Sequence, residues 1–218
     1  DKLEADLRWS PDVLLEGTLD LTGPAGGLFS SLARLDVSQS LSVNLVANGN
    51  IAEWAANGAA EIDNTPAFEF EATGENSLID VDATTHLQPH PLTRALVERL
   101  GEIVQTKASI DLTGDTPIFD TLVTADRLRI SVNGQPPVDR NMAAKVRIEA
   151  DDPNQIAGTD SFALSQLVVD GDVTYASGGA ATFTGDIQGS DLRASSVAAS
   201  SVSGPVNVNF ENSVLNAT

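Results

Sequence analysis

The sequence predicts an all-β protein, in which a curled antiparallel or mixed sheet forms an apolar-lined groove with one or two short helices. Apolar and polar residues alternate strictly in many short runs, which is typical of strands with one apolar and one polar face. These runs recur about every ten residues and are separated by turn-forming Gly, Pro, Asn and Asp. Hydrophobic residues make up 41% of the chain and aromatic residues only 5%. Ala, Val, Leu and Ile therefore line the apolar faces, and they suit a groove better than a thick core.

The alternation begins at once, where Leu3, Ala5, Leu7 and Trp9 are apolar and the residues between them are polar. Turn sequences such as Asn48-Gly49-Asn50 separate most of the later runs. The predicted strands span 3–9, 13–21, 41–48, 54–62, 67–73, 77–83, 108–113, 118–125, 127–132, 144–150, 162–169, 171–176, 181–188, 191–198 and 205–210.

Two segments depart from the alternation and predict helices. Between Pro91 and Val104, apolar residues follow a helical stripe, and Pro91 suits a first helical turn. A weaker helix is predicted over 28–35. Both segments lie between blocks of strands, so we expect them to cap or plug an open end of the sheet.

The helix divides the chain into a first β block, 1–90, a helical insertion, 91–107, and a second β block, 108–218. The second block is expected to be continuous with the first. Ala108–Gly114 repeats the pattern of Gly17–Gly23, since both contain an apolar residue followed by Asp-Leu-Thr-Gly. This echo suggests two related blocks.

The chain is strongly acidic, with 12 Lys and Arg against 31 Asp and Glu and a net charge of −19. This charge argues against binding to nucleic acid, which requires neutralisation of phosphates, and against docking on an anionic membrane surface. It is consistent with a role in keeping a β-rich surface soluble.

The chain contains no cysteine, which excludes disulfides, thiolate metal sites and cysteine nucleophiles. No window approaches the roughly 18 uninterrupted apolar residues of a membrane-spanning helix. Because the sequence starts at Asp1 rather than Met, we expect an excised fragment or a mature chain whose anchor or targeting signal is missing.

No common catalytic motif is present, so a non-enzymatic protein without a cofactor is predicted. His86 and His90 lack a fixed third ligand, and a turn into the helix explains them better than a metal site. Asp80 and Asp82 on one strand face, and the turn at 151–154, lack the six to eight converging oxygens that calcium takes. A carbohydrate-active domain stays a weaker possibility, because one Tyr and two Trp offer little platform for a sugar.

Several apolar residues are candidates for the lining of the groove. Leu45 and Ile130 are predicted to point inward. Trp9 and Trp54 are either aromatic residues packed on their sheet or walls of the groove. The helix stripe is either core or a plug, through Leu92, Leu96, Leu100 and Val104. The candidate lining for a lipid or a client protein comprises Leu7, Trp9, Leu15, Leu19 and Val43.

Longer segments of the chain resemble the TamB family of AsmA-like proteins. One is the run 41–63, in which a strand, a glycine turn, the pair Glu53-Trp54 and a second strand follow one another. The order of elements from the strand at Phe68 through the helix to Ala108–Gly114 is also similar. So are the runs 183–195 and 202–209, and the resemblance covers most of the chain.

The resemblance implies an internal periplasmic segment of a Gram-negative envelope protein held in the inner membrane. It implies the β-taco fold, a sheet curled into an apolar groove, and partnership with an outer-membrane barrel of the TamA type. The implied function is phospholipid transport between membranes, outer-membrane protein assembly, or both, with phospholipid acyl chains as ligands. The alternative is a β-sandwich adhesin-like or interaction module with a closed, packed core.

Overall fold

The computed structural model describes residues 1–10, 15–87, 93–138, 141–159, 163–175, 180–194, 197–211 and 214–217. It confirms the all-β prediction. The chain forms two compact units, Asp1–Ser109 and Ile110–Thr218. The predicted division into 1–90, 91–107 and 108–218 stays a prediction.

The first unit is an antiparallel meander, in which each strand pairs with the next one along the chain. Two-residue turns at 63–64 and 76–77 suffice to join antiparallel neighbours, whereas the longer connection at 24–40 contains a short helix. Strand β7, Ile103–Asp111, runs across the boundary between the units. The other elements are β1 Lys2–Trp9, β2 Leu15–Gly23, α1 Leu28–Leu32, β3 Leu41–Gly49, β4 Glu53–Ile62, β5 Thr65–Glu75, β6 Leu78–His86 and α2 Arg94–Leu100.

The second unit is also an antiparallel meander in sequence order. Its elements are β8 Ile118–Thr124, β9 Leu128–Val138, β10 Asn141–Asp151, α3 Pro153–Ala157, β11 Gln166–Tyr175, β12 Ala181–Ala194, β13 Val197–Glu211 and β14 Val214–Ala217.

Helix α2 is shorter than the helical stripe predicts. It ends at Leu100, and Gly101 adopts a φ of 92°, a conformation that glycine adopts without steric cost. The chain re-enters a strand at Ile103, so the prediction of helix through Val104 is wrong. The apolar residues at 103 and 104 satisfy the helical period only by coincidence.

Other boundaries also differ from the predictions. Strands β9 and β13 extend beyond the predicted 127–132 and 205–210, since they span Leu128–Val138 and Val197–Glu211. Residues 166–175 form one strand, β11, where a break at 170 was predicted. Residues 191–194 end β12, so the separate strand 191–198 is wrong. The turn predicted at 151–154 contains the start of α3, with Pro153 in its first turn. Strand β11 stays continuous because its partners β10 and β12 pair with it on both sides of the predicted break.

Helix α1 is held against the end of β2 by Ser30, which is 1% exposed. The Ser30 hydroxyl lies 3.1 Å from the carbonyl oxygen of Gly23 and 3.0 Å from that of Pro24. A Cβ built on Gly23 would lie 2.9 Å from Cβ of Phe29, so glycine is required for this close approach. Helix α1 thus lies against the end of β2, and its role as a cap or plug of the sheet stays a prediction.

We expect Ser30→Ala to lower the free energy of unfolding by about 1–2 kcal/mol, because the single hydroxyl proton shared between the carbonyl oxygens of Gly23 and Pro24 is lost. Urea denaturation of the purified chain checks this, with Ser31→Ala as the control. Ser31 is exposed and also bonds a carbonyl, that of Gly27. Equal losses in the two variants would contradict the anchoring role of Ser30.

The buried core is small. Among the described residues, the buried hydrophobic side chains are Ile62, Ala72, Leu87, Ala144 and Ala150. Much of the apolar surface that the alternation predicts therefore has no layer packed over it.

Candidate functional site

Cross-strand pairing gathers the alternating apolar residues of the first unit on one face of its sheet. We call each set of residues paired across neighbouring strands a rung. The rungs carry no charged residue, and their hydroxyl-bearing members are Thr65 and Thr85. The apolar face of the first unit consists of the rungs Gly23/Leu41/Ile62/Thr65, Leu3/Leu21/Val43/Ala60/Phe68/Thr85, Ala5/Leu19/Leu45/Gly58/Phe70/Ala83, Leu7/Gly17/Ala47/Ala56/Ala72/Val81 and Trp9/Leu15/Gly49/Trp54/Gly74/Ile79.

The second unit has an apolar face of the same kind. Thr121 is the one hydroxyl on it apart from that of Tyr175, and again no residue on the rungs is charged. The rungs are Met142/Tyr175/Ala181/Phe210, Phe119/Gly134/Ala144/Val173/Phe183/Val208, Thr121/Val132/Val146/Gly171/Gly185/Val206, Val123/Ile130/Ile148/Val169/Ile187/Gly204 and Leu128/Ala150/Leu167/Gly189/Val202.

The candidate lining residues all belong to the apolar face of the first unit. Pairing places Trp9 and Leu15 on one rung and Leu7, Leu19 and Val43 on three others. Leu19 and Val43 are half-buried, and Leu7 is 73% exposed. The side chains of Trp9 and Leu15 lie outside what the structure describes. Leu45 shares a rung with Leu19, and Ile130 lies on the apolar face of the second unit. Their role as a lining stays a prediction.

Both apolar faces carry large side chains that are exposed to solvent. In the first unit Leu3 is 56% exposed and Phe68 38%. In the second unit Val202 is 40% exposed and Phe210 43%. A Cβ built on Gly204 would meet no atom within 4 Å. Apolar surface of this extent on a folded chain marks a site of interaction.

Aromatic side chains on the faces lie over glycines of the neighbouring strand. A Cβ on Gly58 would lie 2.5 Å from Cε1 of Phe70, and one on Gly171 would lie 2.8 Å from Cζ of Phe183. Trp54 covers Gly74 in the same way. Rings that lie along the sheet cover the backbone of these glycines and protrude little from the apolar face. The sequence analysis missed these glycines as part of the site, although each falls at an apolar position of the alternation.

One rung of the first unit consists mostly of smaller side chains than the rungs on either side of it. Gly17, Ala47, Ala56 and Ala72 follow one another across four strands. Larger residues border them, with Leu19, Leu45 and Phe70 on one side and Trp54 and Ile79 on the other. The bordering rungs are about 14 Å apart, since each rung is two residues from the next. This shallow trough runs across the strands.

The opposite faces are largely polar and carry more acidic than basic residues. The Lys107 ammonium lies 2.7 Å from a carboxylate oxygen of Asp82, and this hydrogen bond raises the pKa of Lys107. Arg147 pairs with Glu149 at 2.8 Å and Asp170 at 3.0 Å, and these hydrogen bonds, Glu149 first, raise its pKa. These pairs are exposed and add little stability. We therefore interpret the polar faces as the solvent-exposed faces of the sheets.

The other candidates are spread over the chain. Leu96 is 40% exposed and Leu100 is half-buried on α2, whereas Val104 lies in β7. Leu92 and His90 fall outside the described residues. In the described part of the chain, no group of three His, Asp or Glu is placed to hold a metal ion. None of the described helices has the length and apolar character needed to cross a membrane.

The fold and its faces define a class of protein: an antiparallel β-meander whose described residues form extended, uncharged apolar faces and include few large buried side chains. Comparison with protein-family models, with curated proteins and with solved structures gave no match.

Proposed function

We propose that this chain is a non-enzymatic, lipid-binding segment of a TamB-like or AsmA-like envelope protein. In this proposal it lies in the periplasm, as part of a protein anchored in the inner membrane and partnered by an outer-membrane barrel of the TamA type. Its apolar faces carry phospholipid acyl chains between the membranes, support outer-membrane protein assembly, or do both. The observation that carries the proposal is the open apolar face, which extends over six strands in the first unit without a charge.

The chemistry of the face suits acyl chains. Each methylene group transferred from water onto an apolar surface gains about 0.8 kcal/mol and needs no polar partner. Thr65 and Thr85, both at the margin of the face, are the hydroxyl-bearing residues on the rungs of the first unit, so the face offers almost nothing that would select a headgroup. Such a surface favours lipids as a class over one particular lipid.

The shape of the face supports the same proposal. An extended acyl chain is narrower than the separation of about 14 Å between the rungs that border the trough. Ala47, Ala56 and Ala72 form its floor, with Leu45 bordering it on one side and the Trp54 ring, which lies along the sheet over Gly74, on the other. A chain lying there would contact small floor residues and larger bordering side chains together. It would run across the strands, in the direction in which the sheet extends.

The alternative of an interaction module with a closed core requires apolar faces packed on each other. Such a core buries most of its large aliphatic and aromatic side chains. In the described residues the large buried aliphatic side chains are Ile62 and Leu87, and no aromatic side chain is buried. The lipid-carrying proposal accounts for this exposure directly.

Quenching of Trp54 fluorescence by phospholipid with brominated acyl chains tests the proposal. The chain has two tryptophans, so a Trp9→Phe background leaves Trp54 as the reporter. We expect quenching in this background. In the same background Leu45→Asp should abolish quenching, because the acyl chain would have to desolvate a carboxylate.

Val46→Asp provides the matched control, since Val46 neighbours Leu45 on the opposite face, between Thr18 and Asn57. This variant should be quenched like its parent. Absence of quenching in the parent, or equal quenching in the two aspartate variants, would count against the face as the lipid site.

A further inference from the structure

We propose that without lipid the apolar face of the first unit packs against the same face of a second copy of the chain, forming a symmetric face-to-face dimer. Lipid and the second copy then compete for one surface, so lipid loading releases the dimer. The competition rests on the proposed function, whereas the dimer does not.

The area of the face matches that of a stable interface. The four complete rungs each cross six strands. With strands about 4.8 Å apart and rungs about 6.8 Å apart, they cover about 29 Å by 27 Å, or about 780 Å² in projection. A standard stable interface buries about 800 Å² on each partner. One face therefore suffices for a dimer.

The composition of the face also suits contact with the identical face of a second copy. A twofold interface is formed by identical patches, so any charge on a patch would meet the patch of the partner. The rungs carry no charge, and their central residues, such as Leu45, Ala56 and Phe70, are apolar. Since Phe70 lies along the sheet over Gly58, the face stays low enough for two sheets to approach to the usual separation of about 10 Å.

The acidic charge of the chain does not prevent this contact. Asp20, Glu69, Glu71 and Asp82 lie at register positions of the opposite face, which points away from the partner. Across two stacked sheets these carboxylates are about 20 Å apart, well beyond the screening length of about 8 Å at physiological salt. At about 10 mM salt the screening length is about 30 Å and the repulsion is felt, so raising the salt from there to physiological strength should strengthen the dimer.

Pairing of two copies through the free edge of β1 is less favourable. Antiparallel pairing centred on Ala5 would place Lys2 opposite Arg8 and Glu4 opposite Asp6. Like charges directly opposite one another destabilise a strand pair. The edge thus disfavours this pairing, and the face is the better surface for a second copy.

Sedimentation velocity of the delipidated chain over a range of micromolar concentrations tests the dimer. We expect a monomer–dimer equilibrium that shifts toward dimer as salt is raised. The double variant Leu3→Glu/Leu7→Glu should weaken it at least tenfold. Leu3 and Leu7 are 56% and 73% exposed, so the monomer should tolerate both changes.

The matched control is Leu32→Glu/Val37→Glu, which adds the same charge at residues 71% and 81% exposed outside the strands. It should dimerise like the wild type, and circular dichroism should show native folds for both double variants. A wild type that is monomeric throughout, or equal dimerisation of the two double variants, would overturn the proposal.

A short-chain phospholipid below its micellar concentration separates the two proposals. Conversion of the dimer to a lipid-bound monomer supports the competition. A dimer that persists with lipid bound overturns it. A dimer that depends on Leu3 and Leu7 but binds no lipid supports self-association and contradicts the lipid-carrying function.

Discussion

Ile130→Asp should lower the free energy of unfolding by about 2–4 kcal/mol and abolish lipid binding by the second unit. Ile130 is half-buried between Val123 and Ile148 on the apolar face. The substitution removes part of an aliphatic burial and places a carboxylate where no cation or donor faces it. Chemical denaturation gives the stability loss. A bromolipid assay with a tryptophan introduced at Phe183, on the same face, in place of both native tryptophans, gives the binding.

Ser131→Asp is the matched control, because Ser131 neighbours Ile130 on the opposite face and pairs with Arg147. An added carboxylate there meets a cation, so stability and lipid binding should change little. Wild-type lipid binding in a folded, monomeric Ile130→Asp variant would show that this face is not the conduit. Equal stability losses in the two variants would contradict the assignment of faces.

Gly171→Ala should destabilise the chain by about 1–3 kcal/mol, since an added methyl group has no space. Gly171 faces Gly185 across β11 and β12, and a Cβ on either would lie 2.7 Å from Cα of the other. The same Cβ would lie 2.8 Å from Cζ of Phe183. The ring can move, but the two backbones are joined by strand pairing and cannot separate without loss of hydrogen bonds.

Gly204→Ala should have the opposite effect and stabilise the chain by about 0.5–1 kcal/mol, because Gly204 has open space around it and glycine weakens a strand interior. Thermal and urea denaturation of the two variants should show changes in the free energy of unfolding that differ in sign as well as in size. Destabilisation by Gly204→Ala would indicate that another layer covers this part of the face. A neutral Gly171→Ala would contradict the close approach of β11 and β12.

The alternation in the sequence predicted the strands well, because successive side chains of a strand point to opposite faces. A strand with one polar and one apolar face therefore shows a hydrophobic period of two residues in a short stretch of sequence. Residues such as Leu45 and Ile130 were assigned to apolar faces from that period alone, and the pairing places them there. The helix after residue 91 was extended too far because Ile103 and Val104 fit the helical period too. The conformation of Gly101, which ends the helix, is not visible in a hydrophobicity pattern.

The sequence by itself determined the all-β class, the acidic exterior and which positions of each strand are apolar, since these follow from composition and from a local period. Only the tertiary structure decided which residues share a rung, where Phe70, Trp54 and Phe183 lie over glycines, and how little of the apolar surface is buried. Register joins residues far apart in the chain, and burial depends on whether a second layer covers the sheet. Neither the register nor the burial can therefore be determined from the sequence of one strand alone.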